Sequence, residues 1–202
     1  MIHPDTELRF INEIIGHGVF ATKFIPKGTI VWALDDLDRK LNEADVLSLD
    51  EVRQKHVLKY AFRDRQGKYI LCWDITKYVN HSFHANCIST AYDFEIAVRD
   101  IYPGEELTDD YACLNLDVPL QCLPEPGIDK TIVMSDDFLL LYPEWDRQAA
   151  EAMKYFNWVE QPLKGLIAEK FIEKVNAVAD GKELLDSVRS EYYDRQHKLV
   201  RA

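Results

Sequence analysis

The sequence contains no run of about 18 uninterrupted apolar residues, the length that a membrane-spanning helix needs, so no membrane span is expected. Its first residues, MIHPDTELRF, lack the basic-then-apolar order of a secretory signal, and the expectation is a cytoplasmic protein. The four cysteines, Cys72, Cys87, Cys113 and Cys122, form no CxxC pair and read as reduced core thiols. Basic residues are scarce: 24 Lys and Arg face 35 Asp and Glu, for a net charge of −11. That balance repels phosphate backbones, which argues against direct nucleic-acid binding and favours a lysine-rich or basic protein as partner. No internal repeat and no low-complexity segment occurs.

What remains is a chain of 202 residues with 47% hydrophobic content, enough for one sizeable core or for one domain with an appendage. From Leu8 to Leu34 the apolar residues come in short runs broken by glycine and proline, which suits strands joined by tight turns, one of them Pro26-Lys27-Gly28. Ser48 and Glu51 have the spacing of a capping box, so a helix is expected there, with Val52 and Leu58 turned inward. YAFRDRQGKYILCW reads as a hairpin about Gln66-Gly67. DFEIAVRDIYPGEELTDDY alternates like a strand pair about Pro103-Gly104. A β-rich unit with a helical insertion near 38–60 is expected to about residue 117, then a proline-rich linker over 118–130.

Beyond the linker the period changes. Trp145, Ala149, Ala152, Met153 and Phe156 form an amphipathic stripe, expected to open at Pro143 and to stop near Pro162. Leu163, Leu166, Ile167, Phe171, Val175 and Val178 form a second stripe that ends at Gly181, and Leu184, Leu185, Val188 and Tyr192 start a third. Residues 131–202 are thus expected to form a helical extension packed on the β part.

The stretch YVNHSFHAN, Tyr78 to Asn86, concentrates chemistry-bearing side chains behind an apolar run. His81, His84 and Cys87 are spaced so that a helix would put them on one face, but no further paired ligands complete a zinc set. Ser82 lies outside any GxSxG turn, which disfavours a hydrolase. Two other elements share the chain with this stretch: the glycine pair of GHGVFAT, Gly16 and Gly18, and the segment GEELTDDY ending on Tyr111.

In their order and spacing these three elements, the glycine pair, NHSxxxN and GEELTxDY, resemble the SET-domain family of protein lysine methyltransferases over about Asn12 to Tyr111. The resemblance implies an α+β fold: a mainly β core of small sheets with a knot-like threading, extended here by the helical tail. It also implies S-adenosylmethionine as cofactor and the side-chain amine of a protein lysine as methyl acceptor. Gly16, His17 and Gly18 would offer backbone to the methionine end, Asn80 would accept from the cofactor ammonium, and His81 would meet the adenine through its main chain. Tyr111 would be the catalytic tyrosine, aligning the amine with the methyl group. A substrate amine has a reference pKa near 10.4 and must lose its proton, which a dry channel beside a sulfonium favours.

Tyr78, Trp73 and Tyr60 are candidate aromatic walls for the cationic lysine. Asp110 corresponds to the structural aspartate before the tyrosine, whereas Asp109, on the channel, stands where many members carry an aromatic residue. After Tyr111 only Cys113 and Cys122 remain of the cysteine-rich zinc segment of many relatives, so no metal is expected, and the tail, with Trp145, Phe156 and Trp158, is expected to cover the site instead. Its Glu144, Asp146, Glu151 and Glu160 would help attract a basic substrate. A non-catalytic cofactor- or peptide-binding module is the alternative.

Overall fold

The computed structural model of the chain describes residues 1–195. The first elements are strands: β1 (Thr6–Asn12), β2 (Gly16–Ala21), β3 (Ile30–Ala33) and, after an excursion, β4 (Arg39–Leu41). Asn12 makes the first turn by accepting the N–H groups of Ile14 and Ile15, each at 2.9 Å, and Gly16 closes it at φ +86°, a conformation that a Cβ disfavours. The turn expected at Pro26–Gly28 is present, with Thr29 N–H donating to the Pro26 carbonyl.

The helical insertion expected over about 38–60 is present, opened by a strand and followed by the expected hairpin. It holds β4, then α1 (Glu43–Leu47) and α2 (Glu51–Tyr60), then the hairpin of β5 (Phe62–Arg63) and β6 (Tyr69–Leu71), with β4 pairing with β6 in a three-stranded sheet. The expected capping box at Ser48 and Glu51 is not the one used. Ser48 ends α1, and Asp50 caps α2 by accepting from Arg53 N–H at 3.0 Å, because its carboxylate sits one residue ahead of the helix and also meets the Arg53 guanidinium. The reciprocal box lies one helix earlier, at Asn42 and Asp45. The expected inward face is also wrong. Val52 is 78% exposed and Leu58 is exposed, while Val57 anchors the helix against Leu41, Val46 and Tyr69.

The remaining strands are β7 (Asn80–His81), β8 (Cys87–Ser89), β9 (Phe94–Ala97), β10 (Glu106–Asp109), β11 (Leu120–Gln121) and β12 (Ile132–Val133). The main sheet runs β1-β2-β10-β8-β9-β3, with β7 paired to β10 off that path. Strand β9 does not alternate as expected. All four of its residues are buried, because sheet neighbours and the helical layer cover both faces. Within this sheet Asp109 pairs in parallel with His81 and also with Cys87, so both ends of the Ser82–Asn86 loop hold one residue of β10. The threading implied by the resemblance takes this form.

The C-terminal part supplies α3 (Asp137–Met153) and α4 (Glu169–Ala179). Helix α3 begins six residues before Pro143, which lies inside it, and ends at Met153, well before Pro162. An internal proline removes one ladder hydrogen bond, and Phe138 and Trp145, packed edge to face on either side of it at 5.4 Å, hold the helix together across the gap. The stripe Trp145, Ala149, Ala152, Met153 and Phe156 is buried against Ile88, Phe94 and Ile96 of the sheet. In the second stripe only Phe171, Val175 and Val178 lie on α4, while Leu163–Ile167 form a 3₁₀ turn and its approach. The third stripe makes only a 3₁₀ turn at Val188–Glu191, with Leu184 88% exposed, and the end of the expected extension lies outside the described residues. Trp158 was expected in the docked stripe but is 85% exposed, because the helix has already ended and the chain turns it outward.

Candidate active site

The site is built from the seam where β7, β8 and β10 meet. Asn86, fully buried, donates from Nδ2 to the Glu106 carbonyl and accepts the Thr108 N–H at Oδ1, both at 2.8 Å. This side chain replaces the main-chain bonds that the loop cannot make. His81 accepts the Tyr111 N–H at Nδ1, 3.1 Å, which places its own proton on Nε2, a buried atom with no partner among the described residues. Burial holds the His81 pKa below its usual value, so the ring stays neutral and can accept that bond. The ring packs edge to face on Phe83 at 4.4 Å and lies 5.5 Å from Tyr111. Asp110 starts the 3₁₀ turn that carries Tyr111, accepting from Ala112 N–H, and takes a hydrogen bond from Trp145 Nε1 at 3.2 Å. The expected structural role of Asp110 thus has a visible cause.

Tyr111 donates its hydroxyl to the Val79 carbonyl at 2.6 Å. Burial raises its pKa, so it stays protonated. It lines a cavity of about 270 Å³ together with Asp109, Tyr60, Trp32, Glu95 and Leu114, and the outer wall is the segment from Asn115 to Leu120. The structure therefore brings Tyr111, Asp109 and Tyr60 together. Tyr78, expected on the substrate channel, is not on this wall: its ring sits between His17, at 5.9 Å, and Tyr60, at 5.4 Å. Trp73 is held away as well, its indole N–H bound to Asp35, because its strand end turns toward Asp38 and Asp35.

None of the expected cofactor-binding residues, Gly16, His17, Gly18, Asn80 and His81, lines this cavity. Next to Gly16 a Cβ would meet nothing within 4 Å, so its backbone faces open space, and His17 continues into an aromatic row formed by Phe10, His17, Tyr78 and Tyr60. Gly18 is closely surrounded. A Cβ there would lie 2.4 Å from Glu106 Oε1, 2.8 Å from Ile11 Cδ1 and 3.0 Å from Asn80 Nδ2, so this glycine makes room for neighbouring side chains. Asn80 spends both amide hydrogens, on the His17 carbonyl at 3.0 Å and on Glu106 at 2.7 Å, which leaves Oδ1 as its acceptor for a cofactor ammonium.

Two features were missed in the sequence. Glu125, from the proline-rich stretch after Tyr111, receives the Ser82 hydroxyl at 2.9 Å and the Phe83 N–H at 3.0 Å, tying that stretch onto the histidine loop. The wall of the cavity comes from the 114–120 segment, while α3 supports the seam from behind through Trp145. Glu95 is the second. Its signal was a carboxylate inside an otherwise apolar strand, FEIA. Of the helical acids, Glu144 pairs with Arg147, Glu151 with Lys154, Asp146 accepts the Val188 N–H, and Glu160 is exposed. Of the cysteines, Cys72 and Cys87 are buried and Cys113 and Cys122 partly so, all as thiols. His81, His84 and Cys87 share no helix: they lie on β7, in the loop and on β8. No helix among the described residues is long and apolar enough to cross a membrane.

No curated protein matches the chain. Residues 16–112, which include Gly16, the histidine loop, β10 and Tyr111, match the family model of the SET domain, so this part of the chain is a SET domain.

Proposed function

We propose that this chain transfers a methyl group from S-adenosylmethionine to the side-chain amine of a lysine in a basic protein substrate. The observation that carries the reading is Tyr111: a neutral hydroxyl, fixed by the Val79 carbonyl and by the His81 contact to its main chain, lining a cavity at the end of the matched family segment. The residues suit such a cofactor. Open backbone at Gly16 and the acceptor Asn80 Oδ1 would hold the methionine end, the aromatic row would cover the flat and cationic parts, and no phosphate cradle is needed. When bound, the cofactor supplies an electrophilic sulfonium methyl group.

The chain's own part is positioning. Tyr111 orients the amine, and Tyr60 and Trp32 exclude water from it, so that an encounter between two molecules becomes an effectively unimolecular step. The net charge of −11 would draw a lysine-rich substrate toward the protein. The test is transfer of labelled methyl from S-adenosylmethionine to a panel of lysine-rich proteins and poly-L-lysine. Wild type should label at least one acceptor, and Tyr111→Phe should lower the rate by about 10²-fold with cofactor binding nearly unchanged. Cofactor binding without transfer to any acceptor would favour a binding module; equal rates would remove Tyr111 from the mechanism.

A further inference from the structure

The main sheet has two ends, and the chain treats them differently. At one end β3 is covered by the first residues of the chain: Ile2 bridges Trp32, His3 N–H donates to the Val31 carbonyl at 2.8 Å, and Ala33 N–H donates to the Met1 carbonyl at 3.0 Å. At the other end β1 pairs with β2 on its inner side, and no main-chain group of residues 7–11 has a partner on the outer side among the described residues. Such a row of free donors and acceptors is a template for another strand. Lysine, proline or a very short strand usually blunts an edge of this kind, yet β1 reads TELRFIN and its residues 6–10 pair with β2 without a break. Alternation puts Thr6, Leu8 and Phe10 on one face and Glu7 and Arg9 on the other. Leu8 is 38% exposed and Phe10 57%.

We infer that the outer edge of β1 docks a second copy of this chain, which adds its own β1 antiparallel across a two-fold axis at Leu8. The inference goes beyond the methyltransferase reading and does not rest on it. Only alternate residues of β1 turn their main-chain groups outward, so two identical edges can pair antiparallel only where one residue faces itself across the axis. With Leu8 on the axis, Glu7 of each copy faces Arg9 of the other, and Thr6 faces Phe10. The other choices fail on charge. An axis at Glu7 or at Arg9 sets that charge against its own copy, an axis at Thr6 sets Glu7 against Asp5, and an axis at Phe10 leaves Arg9 facing Ile11. Opposite charges directly across a strand pair stabilise it, and like charges destabilise it.

The side chains are already placed for this pairing. Within one copy Glu7 and Arg9 lie 2.6 Å apart with both side chains exposed, and the Arg9 guanidinium rests over the Phe20 ring at 5.1 Å, which keeps it on that face. Two copies joined at Leu8 bring these four charges into a square of alternating sign. On the opposite face Leu8 meets Leu8 and each Phe10 meets Thr6, so apolar surface leaves water. The net charge of −11 on each copy opposes association at long range, a repulsion that salt screens, and the local complementarity of the edge has to outweigh it. The result is one sheet continued through both copies, with neither β1 edge left open.

Sedimentation velocity on the full chain, from about 1 µM to about 200 µM, tests this. Wild type should pass from monomer to dimer as concentration rises. Glu7→Arg sets arginine opposite arginine and Arg9→Glu sets glutamate opposite glutamate, so each variant alone should dimerise about tenfold more weakly or worse. Mixing the two variants should restore association. One chain then offers two positive positions to the two negative positions of the other, and a heterodimer of about wild-type affinity should appear by native mass spectrometry. Recovery on mixing is a result that a variant with a damaged fold cannot produce. Amide hydrogen exchange on wild type provides a check without any substitution: outward-facing amides of residues 6–10 should exchange more slowly as the protein is concentrated, while those of β3 stay unchanged. A wild type that is monomeric at every concentration would overturn the inference. So would a dimer equally tight in both single variants, weakened variants that do not recover on mixing, or β1 exchange that is independent of concentration.

Discussion

Around Tyr111 the chain is held by polar side chains that reach main-chain atoms: Asn86 to Glu106 and Thr108, His81 to Tyr111, Asp110 to Ala112, and Tyr111 to Val79. From Asp137 to Ala179 the chain is held mainly by apolar bulk, with Phe138, Trp145, Ala149, Met153, Phe156 and Val175 packed on the sheet. Trp145 joins the helical region to the Tyr111 region through Asp110, and Gln161 ties the helical region to the β part by accepting the Ile30 N–H at 2.9 Å and donating to the Gly28 carbonyl at 2.7 Å. The difference separates two requirements. Directional bonds fix where a hydroxyl points, whereas apolar packing supplies stability but tolerates changes of detail. A site that must align atoms is built from the first kind and backed by the second.

The largest effect is expected from the helical layer. Phe138→Ala removes a fully buried ring and should destabilise the chain by about 4 kcal/mol, read from urea unfolding. If the layer were an independent appendage, this variant would leave the main unfolding transition of the β core unchanged.

The next effect belongs to the seam and depends on pH. Glu95 has a folded pKa of about 7 against an ordinary 4.5, so between those values the folded state binds more protons than the unfolded state. Its stabilising contribution is therefore present below about pH 4.5 and is lost as pH rises through 7. Wild type should lose up to about 3 kcal/mol across that window relative to Glu95→Gln. Asp109, whose pKa moves the same way, adds to the trend in both proteins. A difference between wild type and Glu95→Gln that does not vary with pH would show that Glu95 titrates normally.

Asn86→Ala should cost about 2 kcal/mol by orphaning buried main-chain groups of β10. It sharpens the comparison because methyl transfer, where the Tyr111 turn must be aligned, should fall further than the stability loss explains. Activity lost only in proportion to the unfolded fraction would count against alignment by the seam. The smallest effect is expected far from both regions. Asp50→Ala removes the N-cap of α2 and should cost about 1 kcal/mol by urea unfolding, with transfer by the folded protein unchanged.

Much of this contrast is already legible in the residues. The turns at Gly28, Gly67 and Gly104 were readable because each glycine adopts a positive φ that other residues avoid. The Trp145 to Phe156 stripe was readable because helical period places it on one face. The start of α3 was not, since Pro143 is a stop signal locally and only packing by Phe138 and Trp145 lets the helix run through it. Trp158 misled for the converse reason: it continues the apolar run in sequence, but the helix that would have turned it inward is over.

The sequence by itself determined the order and spacing of the glycine pair, the asparagine-histidine loop and the β10 tyrosine, and through them the family, because those spacings are properties of the chain alone. Tertiary structure alone decided that Gly18 shelters Glu106 and Asn80, that Tyr78 faces His17 and not the cavity, and that Glu95 shares a cavity with Asp109. Those outcomes depend on sheet order and register between strands far apart in the chain, and a one-residue slip would turn every one of these side chains to the other face.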